Sequence, residues 1–590
     1  MKPILVPLII ALTSSQPQAD NDVLFDAMND ELARTVAQLK IEKHDKPYYV
    51  SYRIDDCDSL NTSASFGAIT SDTYNRYRVL SVDVHVGSYG LDSGNMNSTA
   101  IWEWEPQSAA SKLTLDNDYD AIRHTIWLRT DSAYKKAVRN LEKKKALLQQ
   151  KNIKERPDDW SHEKPTVLIQ PRVTASYNRA EWRERVKNLS AIFKDYPKIR
   201  RSSISLAQVT DNKYFINNEG SKSRVVEGDC TLAINATAQA KDGLKLSDSQ
   251  DIEVIDAQHL PSDEQLKAAI NQFAQRLSTI VDAKEGELYQ GPVLLEGEAA
   301  AEFFNRSLAP NVVVNRPADA DRSLRTEDAV MGRIGWRILP KFINVEEDPT
   351  LRDATGARQP ASYEVDDQGV PAKKVVLVEK GILKTLLSSR LPTLKVKSSN
   401  GHALGTNDLA QSSNLIIQPD RKAAPNDVDL DPEKLKAKLI EFGKEDGLDY
   451  VLVVRKLSNS PLDGSQGMFF SVDTGGFESK KEQLDLPMAL DVSRLYLSDG
   501  HEELLRGAEF ATTTVRILRE IAATGDDSKM YQKSTGTSMD SFDTEAPSYR
   551  PASITTPSII LRDMEVLKTH TDVDKPPILS HPFFEKAQAK

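Results

Sequence analysis

The apolar positions of the chain follow two different spacings. In residues 21–39 apolar side chains recur every three or four positions, as on one face of a helix. In residues 77–87 they alternate with polar side chains, as in a strand with one buried face. The helical spacing returns at 118–152, 179–193, 263–285 and 433–442. Short apolar runs predict further strands at 48–54, 204–209, 213–217, 224–227, 231–240, 293–295, 375–379, 382–387, 414–418, 450–457 and 559–567.

Turn-forming residues join several of these strands. Residues 217–221 supply Gly220 for a positive φ between two of the N-terminal strands. Residues 365–371 and 379–381 predict two tight hairpins in the second half, which indicate an antiparallel sheet. The polar segment 151–165 contains two prolines and predicts a subdomain boundary.

A strand, a glycine and a short alanine-rich helix follow one another at residues 289–304. Gly297 marks the turn after the strand, and the helix must end at Pro310. Glu298 and Glu302 are four residues apart and share one helix face. This pair of acids is a candidate for chemistry, or else part of the solvated surface.

Residues 1–19 have the pattern of a Sec-type signal peptide. Lys2 precedes an apolar run at 4–12, and small and polar residues lead to Ala19. The run is too short to span a bilayer, and no later run of about 18 apolar residues follows. We therefore expect export to the periplasm or the extracellular medium, with no membrane span in the mature chain.

The charge balance argues against nucleic acid as a partner. The 590 residues carry 76 basic and 87 acidic side chains, a net charge of -11, whereas a phosphate-binding surface is basic. The lysine run 143–145 lies in a predicted helix beside Glu142, and we expect it to be solvent-exposed. His85 falls on the polar side of its predicted strand, where an exposed residue is expected.

The only two cysteines are Cys57 and Cys230. In an oxidising compartment they could form a disulfide, or they could remain separate thiols. Neither belongs to a C-x-x-C motif, which argues against a thiol-redox site or a zinc ribbon.

Several stretches together resemble the TldD/PmbA family, whose members are described as metallopeptidases and as modulators of DNA gyrase. They occur in family order between about residues 45 and 567: residues 80–87, 218–220, 291–295, 366–371, 379–383 and 506–507. The resemblance implies an α+β fold, with an N-terminal α/β domain of mixed sheet and long helices at 20–285. It implies a C-terminal domain built on antiparallel β-sheet at 286–590. It also implies that subunits pair around an enclosed cavity that admits unfolded peptides.

The zinc motif of the family's active members is not matched here. Those members carry H-E-x-x-x-H directly after the strand that corresponds to residues 292–295, and a cysteine near the C-terminus as the third ligand. Aligned without a gap, the two histidine positions fall on Glu296 and Ala301; shifted by one, they fall on Gly297 and Glu302. The shifted alignment keeps the catalytic acid as Glu298. We therefore expect no cofactor, with zinc kept for the alternative of an active enzyme.

Other residue sets are weaker candidates for a site. The nine histidines include no two that stand four or five apart. Carboxylates alone, at Glu296, Glu298 and Glu302, would suit calcium or magnesium better than zinc, while Glu302 could instead pair with Arg306 on the same helix. There is no G-x-S-x-G elbow and no phosphate-binding loop.

The polar loop at residues 398–405 is the remaining candidate for substrate contact. Asn400, Gly401 and His402, together with Glu302, are the predicted peptide-binding residues, and an ordinary structural loop is the alternative.

The leading hypothesis is an exported, non-catalytic subunit that binds peptide or accompanies a zinc-bearing partner. Its expected partners are unfolded peptide or protein and a second subunit, in a homo-oligomer or a hetero-oligomer with a TldD-like chain. One alternative is an active metallopeptidase with a rearranged metal site, in which Glu298 is the general base. Another is an envelope protein that binds polysaccharide or protein.

Overall fold

The fold was analysed in a computed structural model. It describes residues 22–96, 111–151, 155–314, 331–405, 409–458, 483–536 and 549–569, together with residues 316, 319, 575, 577 and 579. The helices in this part of the chain are α1 (Val23–Gln38), α2 (Tyr119–Lys151), α3 (Arg179–Ser190), α4 (Asp263–Ile280), α5 (Glu298–Ser307) and α6 (Pro432–Glu445). The predicted signal peptide lies outside the described residues, and none of the described helices is long and apolar enough to cross a bilayer.

The N-terminal half is built on one mixed sheet of eight strands. The order β3-β2-β1-β6-β7-β5 forms its main path, with β4 paired to β2 and β8 to β7; only β5 runs parallel to its neighbour. The strands are β1 (Pro47–Ser65), β2 (Ala68–Ser88), β3 (Leu91–Asp92), β4 (Ser111–Lys112), β5 (Val167–Ile169), β6 (Ile199–Asn217), β7 (Lys222–Gln239) and β8 (Lys245–Val254).

Strands β6 and β7 are each longer than the sequence predicts. The two short strands predicted at 204–209 and 213–217 are one continuous strand, and so are those at 224–227 and 231–240. The polar residues that separate them in the sequence are part of the ladder, where Asp211 pairs with Glu227 and Val209 with Asp229. Asp211 lies on the same face as Lys213, which contacts the C-terminal half, whereas Thr210 and Asn212 bond to Tyr177 and Val173 on the other face. Polar residues with partners on both faces thus interrupt the apolar pattern without ending the strand. Strand β8 is polar and was not predicted.

Helices cover the opposite face of this sheet. The faces of α1 and α2 pack on Tyr52, Ile54 and Leu80 in one apolar cluster. Helices α3 and α4 pack in a second cluster with Phe193, Phe273 and the apolar residues of β6 and β7. The long N-terminal helices and the mixed sheet thus agree with the predicted fold.

The C-terminal half contains two larger sheets with a shared core. One has the order β15-β10-β24-β19-β17-β18-β9, with β21 paired to β24, and the other β13-β12-β11-β14-β23-β22. A short two-stranded sheet joins β16 to β20. The strands are β9 (Lys284–Glu285), β10 (Tyr289–Leu295), β11 (Ile343–Glu347), β12 (Val375–Glu379), β13 (Ile382–Leu383), β14 (Asn414–Pro419), β15 (Tyr450–Leu457), β16 (Gln483–Leu484), β17 (Ala489–Tyr496), β18 (Glu502–Arg506), β19 (Ala508–Phe510), β20 (Thr513–Thr514), β21 (Ile521–Thr524), β22 (Lys529–Gly536), β23 (Tyr549–Thr556) and β24 (Ile559–Lys568).

Most pairs in these sheets are antiparallel, as predicted, and a few are parallel. Strand β10 runs parallel to β15, and β14 parallel to β23. The predicted hairpin at 379–381 joins β12 to β13. The predicted tight turn at 365–371 is also present and is closed by an antiparallel bridge between Val365 and Pro371. It does not join two strands of the sheet, because the partners of β12 are β11 and β13. The loop predicted at 534–549 is partly strand, in β22 and β23, and residues 537–548 lie outside the described residues.

Buried charge pairs join the two halves, and one of them is centred on Arg390. It is 1% exposed. Its guanidinium donates to both carboxylate oxygens of Glu219, at 2.6 and 2.8 Å, and to the carbonyl oxygen of Ser161. It also lies over the rings of Tyr49 and Trp160, at 4.8 and 5.0 Å. The predicted turn around Gly220 therefore presents its glutamate to the other half of the chain.

A second group of charges lies on the polar face of the N-terminal sheet. Lys213 Nζ is 2.6 Å from Glu227 Oε2 and 3.3 Å from Asp367 Oδ1 of the C-terminal half. Asp211 lies next to it, buried, and burial together with the nearby Asp55 carboxylate raises the pKa of Asp211 to about 8. A carboxyl group in this position is protonated over much of the neutral range.

Two expectations about charged residues are wrong, the first of them in part, since Lys143 and Lys145 are exposed as predicted. Lys144, in the lysine run, is fully buried, with its ammonium 3.0 Å from Asp159 Oδ2 and 2.9 Å from Asp319 Oδ2. His85 is also buried, between Asp83 and Asp92. Burial opposes its charge, but the two carboxylates outweigh that effect and hold the pKa of His85 well above its usual value. In both cases acidic partners make burial of a cation possible.

The two cysteines do not form a disulfide. Both are buried and free. Cys57 pairs in register with Asp211 and Cys230 with Gln208. Positions 208 and 211 are three apart on β6, so the two thiols lie on opposite faces of the sheet.

We predict that Arg390→Met lowers the free energy of unfolding by about 3–5 kcal/mol, because it leaves Glu219 buried without its cation. Urea unfolding followed by circular dichroism measures the loss. Arg352→Met is the control, since Arg352 makes an exposed pair with Glu364 that should contribute about 1 kcal/mol or less. Equal losses in the two variants would contradict the view that the Arg390–Glu219 pair stabilises the contact between the two halves.

We also predict that Asp211 makes a contribution to the free energy of unfolding that falls as the pH rises. The folded-state pKa of Asp211, about 8, exceeds the unfolded value of about 3.9, so the folded state binds more protons between these limits. Its contribution is complete below about pH 4 and is lost as pH rises toward 8. Asp211→Asn should therefore lose less stability than the wild type between pH 5 and 8 in urea unfolding. The exposed Asp116→Asn should follow the wild type, and parallel profiles for all three proteins would refute the prediction.

Candidate functional site at the start of helix α5

The candidate site lies where two parallel strands end side by side. Leu295, the last residue of β10, pairs with Val454 of β15, so the residues after both strands lie at the same edge of the sheet. The chain then turns at Gly297, whose φ of 52° and ψ of -112° favour glycine. A Cβ there would lie 2.9 Å from the hydroxyl oxygen of Tyr531. The predicted strand, glycine and helix are confirmed at this point.

A cleft of about 290 Å³ opens at this edge. One wall is apolar and is formed by Leu430, Pro432 and Leu435 of helix α6 and the residues before it. The polar residues that line the cleft are Glu296, Glu298, Arg455, Asp527 and Ser558. The site thus combines an apolar wall with a charged one.

Asp527 and Ser558 hold the start of helix α5 in place through hydrogen bonds. The Ser558 hydroxyl donates to Asp527 Oδ2 at 2.6 Å and accepts from the backbone N–H of Gly297 at 3.2 Å. One backbone donor at the helix N-terminus, where such groups lack partners within the helix, is satisfied in this way.

Each of the three predicted acids in this region faces a cation of the chain. Glu296 Oε2 lies 2.9 Å from Arg455 Nε, and Glu298 Oε2 lies 3.4 Å from Lys456 Nζ. These two acids border the cleft. Arg455 and Lys456 are the residues that the sequence prediction missed, because they stand at the end of an apolar strand and carry no motif.

Glu302 lies away from the cleft, in the buried part of helix α5. It is 2% exposed and pairs with Arg306 at 2.7 Å, as the i,i+4 interpretation predicted. The three alanines before it and Phe303 and Phe304 after it are also buried. The helix is enclosed on nearly all sides, as expected of one with so few polar residues.

The side chains at this helix do not match a zinc site. Zinc in proteins is bound by imidazole, thiolate and carboxylate groups that converge on one point, whereas Glu296, Glu298 and Glu302 point toward three different cations. Across the described residues, no group of three or more His, Cys, Asp or Glu side chains is arranged to hold a metal ion. A carboxylate-only site for calcium or magnesium meets the same obstacle, since Arg455 and Lys456 already lie against two of the acids.

The predicted peptide-binding loop lies elsewhere. His402 is fully buried, its Nδ1 is 2.9 Å from Asn400 Oδ1, and burial lowers the pKa of His402 to about 4. The amide of Asn400 donates to the carbonyl oxygen of Leu386. A Cβ on Gly401 would lie 2.2 Å from the carbonyl oxygen of Pro371, so the loop packs tightly against the turn at 366–371. The structure does not bring this loop together with Glu298, and its role in binding stays a prediction.

Three solved structures illustrate the likeness of this architecture to known proteins. One from Thermotoga maritima, described as a candidate modulator of a DNA gyrase, aligns with a TM-score of 0.53 at 14% identity, over 88% of this chain and 96% of its own. TldE of Thermococcus kodakarensis aligns with a TM-score of 0.53 at 12% identity, over 92% of this chain and all of its own. A further candidate modulator, from Bacteroides thetaiotaomicron, has a TM-score of 0.52 at 10% identity. At these identities the likeness concerns the fold.

The sequence itself is similar to that of archaeal metalloproteases. One from Methanocaldococcus jannaschii is 28% identical over 233 residues, which are 38% of this chain and 47% of that protein. One from Methanothermobacter thermautotrophicus is 26% identical over 227 residues, 37% of this chain and 46% of that protein. The aligned part spans about half the length of these relatives.

The fold and the sequence lead to one class of protein, the metallopeptidase-related α+β proteins. Residues 289–568 match the PmbA/TldA metallopeptidase C-terminal domain. This half of the chain therefore belongs to the TldD/PmbA family.

Proposed function

We propose that this chain is a non-catalytic member of the TldD/PmbA family that binds unfolded peptide, as a subunit beside a zinc-bearing partner or a second copy of itself. The observation that carries the proposal is the pairing of Glu296 with Arg455 and of Glu298 with Lys456. A general base must reach a water molecule or a substrate proton, and the Glu298 carboxylate here lies against an ammonium group.

The cleft beside these residues is the proposed peptide-binding surface. Its volume of about 290 Å³ is close to the lower end of ligand pockets, about 300 Å³, which suits one or two side chains of an extended chain. Leu430 and Leu435 offer apolar contact, while Arg455 and Asp527 offer a donor and an acceptor for a peptide backbone. This arrangement would accept many peptide sequences, because it contacts the peptide backbone and one apolar side chain.

Export is part of the proposal and rests on the sequence of residues 1–19. N-terminal sequencing of the protein from its native host should find the first residues removed. An intact Met1 in the purified protein would argue against export by cleavage.

We predict that the purified protein contains well below one zinc per chain. The protein should be prepared without chelators and analysed by inductively coupled plasma mass spectrometry. The Glu298→Gln variant is the matched comparison, and it should have the same metal content and the same residual rate of peptide cleavage as the wild type. One zinc per chain, or cleavage that disappears in Glu298→Gln, would favour the alternative of an active metallopeptidase with a rearranged site.

We predict that Arg455→Gln weakens peptide binding about tenfold, a loss of about 1.4 kcal/mol. Fluorescence anisotropy with a labelled, permanently unfolded protein measures the affinity. Arg562→Gln is the matched control, because Arg562 is as exposed as Arg455 and also pairs with carboxylates, on another surface. If the two variants bind alike, the cleft is not the peptide-binding surface.

A further inference from the structure

We propose that the Lys456 ammonium takes the place of a metal ion at this site. It pairs with Glu298 on helix α5 and with Asp248 in the N-terminal sheet. It thus links that sheet to the helix that corresponds to the family's metal-binding helix. The inference rests on the proposed function, since it explains how a site without metal ligands keeps its acids in place. It adds a role for a residue that no family motif marks.

The backbone brings Lys456 to the site. Leu295 pairs with Val454 in the parallel pair β10–β15, and Lys456 follows two residues later at the same edge as the start of helix α5. The ladder between β15 and β17 is irregular at this point, with register shifts on both sides of the Lys456–Asp491 pair. Such an irregularity changes the direction of a side chain relative to a regular strand, and the Lys456 side chain is 4% exposed.

The ammonium contacts oxygen atoms from both halves of the chain. Its Nζ lies 2.9 Å from Asp248 Oδ1 and donates to the carbonyl oxygen of Ser249 at 2.6 Å, both in β8. On the other side it lies 3.4 Å from Glu298 Oε2. Two carboxylates and one carbonyl around a cation are the kind of oxygen surroundings that a hard metal ion prefers, and here a lysine supplies the charge.

The surrounding charges show why this cation is needed. Asp248 is fully buried and also pairs with Arg276 at 2.6 Å. Asp491 is the register partner of Lys456 on β17. Asp491 also lies near Arg455, so the three acids Glu298, Asp248 and Asp491 lie among three cations, Lys456, Arg276 and Arg455. Without Lys456, the buried Asp248 would keep only Arg276, and Glu298 would lose this contact, which is unfavourable.

The contact also explains the position of helix α5 relative to the N-terminal sheet. Ser458, two residues further on, donates to the carbonyl oxygen of Ser247 at 3.2 Å. Residues 456–458 thus follow strand β8 along two of its carbonyl groups. The charged contact of Lys456 and the neutral contact of Ser458 join the cleft to the other half of the chain.

A double-mutant cycle between Lys456 and Asp248 tests the proposal. The proteins are the wild type, Lys456→Met, Asp248→Asn and the double variant, and the readout is the thermal unfolding midpoint. Lys456→Met should lower the midpoint by about 5 °C or more. The loss in the double variant should be clearly smaller than the sum of the two single losses, since both single changes remove the same charge contact. Additive losses, or a Lys456→Met midpoint equal to that of the wild type, would overturn the proposal.

Should Lys456→Met fail to fold, Lys456→Arg keeps the test decisive, because it retains the positive charge. A folded Lys456→Arg protein supports the role of the charge, and one that also fails to fold refutes it. Zinc content of the wild type is measured separately. A zinc-free wild type without coupling between the two positions would refute this inference alone, whereas one zinc per chain would refute the proposed function.

Discussion

Several buried charged groups of this protein are paired with a charge from the other half of the chain. Arg390 meets Glu219, Lys213 meets Asp367, and Lys456 meets Asp248. A buried ion without its partner is strongly destabilising, so each pair constrains how the two halves can sit against one another. The cleft at the start of helix α5 is formed within this constraint, since Lys456 stands both at its edge and at the contact between the halves.

The elements that the sequence predicts well are those whose apolar pattern is local. Helices α1, α2 and α6 and strand β15 lie within a few residues of their predicted bounds, because one face of each is apolar and the other meets solvent or a neighbour of the same kind. Strands β6 and β7 were divided by polar residues such as Asp211 that are buried against the other half. Lys144 and His85 were assigned to the surface for the same reason. The acidic partner of Lys144, Asp159, lies 15 positions along the chain, and a turn brings Asp92 to His85. The spacing of apolar residues does not reveal either contact.

The candidate site shows the same division between local and distant information. The strand, the turn at Gly297 and the absence of histidine at the helix follow directly from the residues. The cations that pair with the acids do not, because Arg455 and Lys456 stand about 160 positions along the chain from Glu296 and Glu298 and reach them only through the parallel pairing of β10 with β15. Parallel strands need a long connection, so their neighbours in space are seldom neighbours in the sequence.

The enclosure of helix α5 has a consequence for any attempt to give this chain a metal site. Ala301 is one of the two positions that the family fills with histidine in the ungapped alignment, and it has no exposed surface. In the shifted alignment the two positions are Gly297 and Glu302. Glu302 is buried, and at Gly297 a side chain would need an unfavourable backbone conformation and would meet Tyr531. An imidazole at any of these positions requires its neighbours to be remodelled as well, because interiors packed to this degree have little space to yield. Two substitutions to histidine would therefore not make this helix bind zinc. The packing around the helix, and not only its sequence, would have to change.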